Sequence, residues 1–426
     1  MPYLTLCNLG CSKNQIDGST MAGYFRGQGY TLTHDAARAE IILVNTCAFI
    51  QEAKQEAIAA ILELAAYKKT GACRALIVCG CFSQRFRDTV KGRFPEVDLW
   101  AGIDDWQTLF EKRFGRLGAA SFRRELEKPL ATQYLKIAEG CSHACSFCAI
   151  PGIRGKYRSR TVPEIIEEAR WLYEMGAREC ILVAQDTSYY GRDKGERLSD
   201  LLAELIGKTS FPWIRLMYLH PALVDEGLLR LIAAEPRICP YFDMPLQHGS
   251  DEILRLMARR PMSGAVRRLI GDIRSIVPGA AIRTTFIVGF PGETERMFEK
   301  LLSFVEEMKF DKVGVFPFSP EEGTPAFSMR PRPRNSTAAR RCETLMAAQR
   351  EISEKIGASR IGGVLDCIID GPCEAGGFDY EGRTRFDAPD VDGKIFIQGR
   401  HGLAGPIVPI RIVRADDYDL FGEIAL

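Results

Sequence analysis

The sequence predicts an α/β protein in three parts: an open parallel α/β sheet, a full or partial (β/α) barrel, and a small all-β barrel. Three observations predict it. Short apolar runs alternate with amphipathic stretches through residues 1–118, and again in six successive units through residues 127–356. From residue 359 to 426 the texture changes to β-branched runs broken by Gly, Pro and Asp. At 426 residues, the chain is also too long for one ordinary core.

In the first part, Leu4–Leu6, Ile41–Asn45 and Leu76–Cys79 read as buried strands. Met21–Arg26 and Ala53–Tyr67 read as helices, with apolar residues at three- and four-residue spacing. The charged stretch Arg113–Lys128 reads as a linker. The second part carries strand candidates at Tyr134–Ala138, Cys180–Gln185, Ile214–Leu219, Tyr241–Leu246, Ile282–Val288 and Val313–Phe318. Helices are expected over Pro163–Met175, stopped by Gly176, and over Glu293–Met308. Arg330–Arg334 is a stiff basic connector, and a last helix is expected from Ser336 to Lys355. Val364–Ile369, Ile395–Gln398 and Ile407–Val413 are the strands expected in the third part.

The apolar and charged fractions, 46% and 26%, are those of a soluble globular protein, and no apolar run is long enough to span a bilayer. The first residues lack the basic and long apolar regions of a signal peptide, so a cytoplasmic protein without membrane contact is expected. Fourteen cysteines in that compartment cannot form a disulfide framework, which leaves metal or catalytic chemistry for some of them.

Cys141, Cys145 and Cys148 follow a predicted strand at x3 and x2 spacing. Iron–sulfur clusters are held by thiolates, one per iron, and three ligands with no fourth nearby leave one iron open to a substrate or cofactor. The bland alternative is a zinc knuckle that uses His143, but paired CxxC spacing is missing. Cys11, Cys47 and Cys81 each follow a predicted parallel strand by a few residues, and such ends gather along one edge of an open sheet. On spacing alone, a structural role is the more frequent use of strand-end cysteines. Cys7, Cys73, Cys79, Cys180, Cys239, Cys342, Cys367 and Cys373 read as core or surface thiols, Cys79 being the most ambiguous.

Cys-x3-Cys-x2-Cys with Phe147 before the third cysteine resembles the radical S-adenosylmethionine (SAM) superfamily, and the extension Cys148-Ala-Ile-Pro-Gly-Ile-Arg-Gly-Lys-Tyr-Arg-Ser-Arg160 resembles its methylthiotransferases. The resemblance runs over nearly the whole chain and makes the third part similar to a TRAM barrel. It implies a 4Fe–4S cluster on Cys141, Cys145 and Cys148 that chelates SAM and generates a 5′-deoxyadenosyl radical. It also implies a second 4Fe–4S cluster on Cys11, Cys47 and Cys81 that holds the sulfur to be inserted, and an external electron donor. Gln185 and Thr285, at barrel strand ends, are candidate SAM contacts, with helix capping and loop geometry the competing reading. His248 is a candidate base, although a lone histidine is more often structural.

Two branches of this family differ in substrate. One, MiaB-like, thiomethylates an adenosine in transfer RNA; the other, RimO-like, modifies the β-carbon of an aspartate in small-subunit ribosomal protein twelve. From Ser359 onward, seven Lys and Arg stand against twelve Asp and Glu, a net of −5. Such a barrel repels phosphates and attracts a basic protein. Phe386–Gly393 carries much of that acid and, with Ala184–Gly191, resembles the RimO-like branch. A basic ribosomal protein is therefore the expected partner, with ribosomal RNA a further possible contact of Arg330–Arg334. A two-cluster electron carrier is the alternative of another class, and it requires that no SAM be cleaved.

Overall fold

The computed structural model describes residues 1–116, 123–126, 130–374, 376–399 and 405–425. The N-terminal strands are β1 (Tyr3–Asn8), β2 (Thr31–Leu32), β3 (Ile41–Thr46), β4 (Ala75–Gly80) and β5 (Leu99–Trp100), in the parallel order β2-β1-β3-β4-β5. Asn8 pairs with Asn45, and Thr46 with Gly80, so β1, β3 and β4 end level with one another. Their side chains are apolar on both faces because helices cover both. Val44 and Val78 pack with the helix Gln51–Ala65, and Leu43, Ile77 and Cys79 pack with Met21 and Phe25 of the helix Ser12–Gly27. That second helix begins nine residues earlier than its apolar spacing predicts. Its first turn is polar yet buried, since Ser12, Lys13, Asn14 and Asp17 all face another part of the molecule.

The middle of the chain supplies β6 (Thr132–Lys136), the short antiparallel pair β7 (Ala138–Glu139) and β8 (Arg158–Ser159), and then β9 (Glu179–Val183), β10 (Trp213–Leu216), β11 (Tyr241–Asp243), β12 (Ala281–Val288) and β13 (Lys312–Pro317). The order β6-β9-β10 continues through a bridge from Ile214 to Ile238 into β11-β12-β13, giving six parallel strands of an open barrel. Leu135, Leu182, Ile214 and Phe286 face the outer helices, while Ile181, Val183, Trp213 and Tyr241 face the lumen.

The last strands, β14 (Val364–Pro372), β15 (Tyr380–Thr384), β16 (Ile395–Gln398), β17 (Ile407–Ala415) and β18 (Leu420–Ile424), close into a barrel in the order β14-β15-β16-β18-β17. β15 and β18 escape a reading by β-branched runs because glycine (Gly382, Gly422) and charge interrupt them.

This small barrel plugs the open one from below, at the strands' starts. Arg383 donates to Thr132 and Glu179, and Arg215 pairs with Glu179 at 2.7 Å. Lys312 pairs with Asp387 at 2.7 Å, Tyr241 donates to Asp392 at 2.6 Å, and Arg283 lies 3.4 Å from Asp392. The acidic stretch Phe386–Gly393 is therefore not a free acidic loop, as the charge argument assumed. Burial against cations of the core consumes Asp387 and Asp392, and Asp390 accepts from Tyr134. Asp366, Glu374, Asp390, Asp416 and Glu423 remain exposed.

The N-terminal sheet closes the opposite end from both edges. Asp17 binds Lys136 and Arg154 on the β6 side, and Lys54 and Arg85 both reach Glu321 at 2.9 Å beyond β13. The described part of the expected linker is also tied down. Glu125 N–H donates to the Ser19 carbonyl, and the Arg123 carbonyl passes where a Cβ on Gly23 would stand; the rest of the linker, 117–122 and 127–128, lies outside the described residues.

Candidate active site

Three strand ends gather the first cysteine triad. Cys11 caps the helix Ser12–Gly27, Cys47 follows β3 directly, and Cys81 opens the helix Cys81–Val90 after β4. Gly10 makes the approach possible: at φ +89° it lies so close to Cys47 that a Cβ would sit 2.7 Å from the Cys47 Cβ. Gly80 plays the same part before Cys81, with φ +86° and no room for a Cβ beside Asn45 and Thr46. Buried Asn14 and Asn45 tie the loops together. Asn14 donates to the Leu9 and Thr46 carbonyls, and Asn45 donates to Asn8 and to the Asn14 carbonyl.

The thiols feel one another. Burial pushes Cys47 up, and Cys11 adds to the shift; burial pushes Cys81 up to about 12, with Cys47 and Cys11 adding and Arg154 opposing. Cys11 behaves differently. Partial desolvation raises it, although the residue stays open to solvent, but Lys13, Arg154 and the backbone N–H groups of Asn14 and Lys13 outweigh that and hold it below the ordinary thiol. Cys79, two residues from Cys81, points through the other face of the sheet, where its thiol donates to the Val44 carbonyl within the core.

The second triad occupies one loop above β6. Cys141 N–H donates to the Gly155 carbonyl, and Cys148 N–H donates to the Cys145 carbonyl. Burial raises Cys141, which Cys145 and Asp186 push further, and burial raises Cys148 to about 12, with Cys145 and Cys141 adding. Arg259 lies 3.8 Å from the Cys145 sulfur. His143 turns away from a zinc-like role: its Nε2 shares a 2.5 Å hydrogen bond with Asp186, and its ring stacks on His220 at 4.3 Å. Burial, then Arg259 and His143, hold His220 down to about 3, so that ring is neutral at physiological pH.

Among the described residues, no three His, Cys, Asp or Glu side chains converge on a single metal ion. A cube of four irons makes a different demand. It takes one thiolate per iron, so its ligands stand around the cluster and not around a point. Two groups of three electrostatically coupled thiols fit that demand.

The SAM candidates divide. Gln185 donates to Glu139 at 2.9 Å, and its buried carbonyl oxygen has no partner; Thr187 Oγ1 and Arg259 Nε nearby in the chain's upper loops are likewise buried and unmatched. Buried polar atoms without partners are rare, and such a set suits a polar ligand. Thr285 is half-buried on β12, facing β13 across from Gly314. His248 is structural: its Nδ1 accepts from Ser250 N–H, and its Nε2 lies 3.4 Å from Glu293, which also accepts from Gly289 and Phe290.

Sequence reasoning missed the polar bridge between the triads. Arg154, at the end of the helix Ile150–Arg154, donates to Asp17 (2.9 Å), Glu139 (2.9 and 3.0 Å), Asn14 (3.2 Å) and the Cys81 sulfur (3.3 Å). Its only signal was membership of the run that follows Cys148.

Three family models match this chain: the Radical SAM superfamily over residues 135–305, Uncharacterized protein family UPF0004 over 4–102, and the TRAM domain over 361–425. A curated protein of Heliobacterium modesticaldum, named ribosomal protein uS12 methylthiotransferase RimO, is 43% identical over 98% of this chain and 94% of the relative. One of the same name from Geobacter sulfurreducens is 42% identical over 99% and 98%. The chain belongs to the RimO methylthiotransferase family. It is thus a radical SAM enzyme, and the family accounts for the three-part architecture. Solved structures share the fold at low identity. The radical SAM methyltransferase TsrM from Kitasatospora setae superposes with a TM-score of 0.55 at 14% identity, covering 76% of this chain and 74% of that one. The radical SAM enzyme OxsB gives 0.52 at 12% identity, covering 83% and 56%.

Proposed function

We propose that this protein installs a methylthio group on the β-carbon of an aspartate in ribosomal protein uS12, using two SAM molecules, one as methyl donor and one as radical source. The observation that carries the reading is full-length similarity to relatives bearing that name. Convergence of two cysteine triads at one end of the open barrel supports it.

Cys141, Cys145 and Cys148 would hold one 4Fe–4S cluster with SAM, and Cys11, Cys47 and Cys81 a second; bound there, these groups supply reductive sulfonium cleavage and a transferable sulfur, which side chains cannot. The residues do the rest. Gln185, just past the end of β9, and Thr285, within β12, are the candidate SAM contacts. Asp186 orients His143 and, through Ser188, the loop that bears His220. The N-terminal sheet covers the strand ends and limits the entry of water, which a carbon radical requires. An external one-electron donor is required by the chemistry.

The three-part division at 1–118, 127–356 and 359–426 assigns each triad to its own unit, with the third serving for docking. Exposed carboxylates of that unit would attract a basic ribosomal protein, but only those that the core has not neutralised. Because the plug lies at the end of the barrel remote from the cysteines, docking there would hold the substrate's body while a protruding segment reaches the triads. An enzyme acting on a ribosomal protein would work in the cytoplasm. No helix among the described residues is long and apolar enough to cross a membrane.

The test is anaerobic reaction of reconstituted protein with SAM and a reductant, offering uS12 and transfer RNA separately. A methylthio mass gain on uS12 alone is expected. A gain on transfer RNA alone would overturn the substrate, and absence of 5′-deoxyadenosine would return the electron-carrier reading.

A further inference from the structure

Arg154 is among the largest fully buried side chains of the described residues, at 1% exposure. A buried guanidinium needs compensation, and here the compensation comes from both halves of the site. Asn14, Asp17 and Cys81 belong to the N-terminal sheet and its helices; Glu139 stands two residues before Cys141, and Arg154 itself six residues after Cys148. Lys136 closes the cluster by pairing with Asp17 and with Glu139 at 2.8 Å.

Two carboxylates therefore balance two cations before any thiolate is counted. One Nη2 hydrogen remains directed at Cys81. A neutral thiol needs no such donor, whereas a thiolate ligand does, because a charge-assisted hydrogen bond stabilises sulfur that carries negative charge. Hydrogen bonds to ligand sulfurs and nearby positive charge are what raise a cluster's reduction potential. Ala149 and Ile153, on the same turn, pack into the apolar core that contains Cys81 and Phe82, so this short helix is fixed against the first triad over its length.

Resting on the two-cluster reading above, we propose that Arg154 is a positioning residue. From the second triad's loop it hydrogen-bonds the Cys81 ligand of the first cluster, fixing that cluster's place and raising its reduction potential. Asp17 and Glu139 aim the guanidinium and keep its charge from being expelled to water. A purely structural ion pair would hold the two parts together and leave the potential alone.

The experiment uses the full chain with Cys141, Cys145 and Cys148 all changed to Ala, so that only the first triad can bind iron. Its midpoint potential is read by potentiometric titration with EPR, and compared with the same chain carrying Arg154→Gln or Arg154→Lys. The expected result is a shift to more negative potential in Arg154→Gln, and a smaller shift in Arg154→Lys, which keeps the charge but not the planar fork. Iron retained at the parent potential in both variants would overturn the proposal. Should Arg154→Gln lose iron while its circular dichroism and melting match the parent, the positioning role stands and Arg154→Lys reports the potential; if it unfolds and Arg154→Lys shows the parent potential, the role is structural only. A parent chain that binds no iron would remove the two-cluster reading and this proposal together.

Discussion

The two cysteine triads reach the same kind of site by opposite routes. Cys141, Cys145 and Cys148 lie within eight residues on one loop, so a single turn above β6 sets their spacing. Cys11, Cys47 and Cys81 span seventy-one residues, and three level strands, two glycines and two buried asparagines bring them together. Each triad has one arginine against one sulfur, Arg259 at Cys145 and Arg154 at Cys81. The lesson is one of dependence. The local triad takes its spacing from one loop, whereas the dispersed one needs the whole sheet to bring its cysteines together.

The largest expected effect breaks the comparison at the ligands. Cys145→Ala should abolish 5′-deoxyadenosine formation and methylthio transfer alike. Cys47→Ala should abolish transfer while SAM cleavage continues, and chromatography of the nucleoside beside mass spectrometry of the product separates the two.

Next comes the buried network under the barrel, at the end remote from both triads. Glu179 is fully buried between Arg215 and Arg383, so Glu179→Gln leaves two buried guanidinium groups short of their carboxylate and should cost roughly 3–5 kcal/mol, read by denaturant unfolding. The same group gives a pH dependence. Burial raises the Glu179 carboxyl, but Arg215 and Arg383 outweigh it and hold it below the ordinary value of 4.5. The unfolded chain then binds the proton first, so this contribution is complete above pH 4.5 and is lost as pH falls toward the folded-state value. In Glu179→Gln, the acid limb of a melting-temperature profile should be shallower.

A smaller effect discriminates between the triads by geometry. Gly80→Ala places a Cβ against Asn45 and Thr46 at a positive φ, a strain of about 1–3 kcal/mol, and should reduce iron at the first triad while leaving the second loaded. The smallest effect lies on the C-terminal barrel. Asp366→Asn or Glu374→Gln, each at an exposed carboxylate, should weaken uS12 binding by about twofold or less and only at low salt, as measured by KM against ionic strength.

Legibility in the sequence followed the same contrast. Alternating apolar runs predicted nine of the parallel strands within a few residues, because most positions on both faces are apolar, and missed β2 and β5, whose two residues each are too few to carry a pattern. The second triad was plain, since spacing within a loop is a local property. The first was readable only as strand-end residues, and the family resemblance had to choose between a structural and a ligand role. Arg154, Glu139 and Asp17 were invisible because each looks like a surface charge until its partner arrives from another part of the chain. Phe386–Gly393 misled for the same reason: its carboxylates read as solvent-facing, and the cations that neutralise them, Lys312 and Arg283, lie on β13 and β12. Polar burial is a tertiary fact that composition cannot carry.

Iron and acid-labile sulfide per chain test the central claim of two separate triads most directly. The unmodified protein should take up about eight irons after anaerobic reconstitution, and about four when either triad is replaced by alanine. A chain that loses all its iron on replacement of one triad, or keeps all of it, would contradict two independent cluster sites.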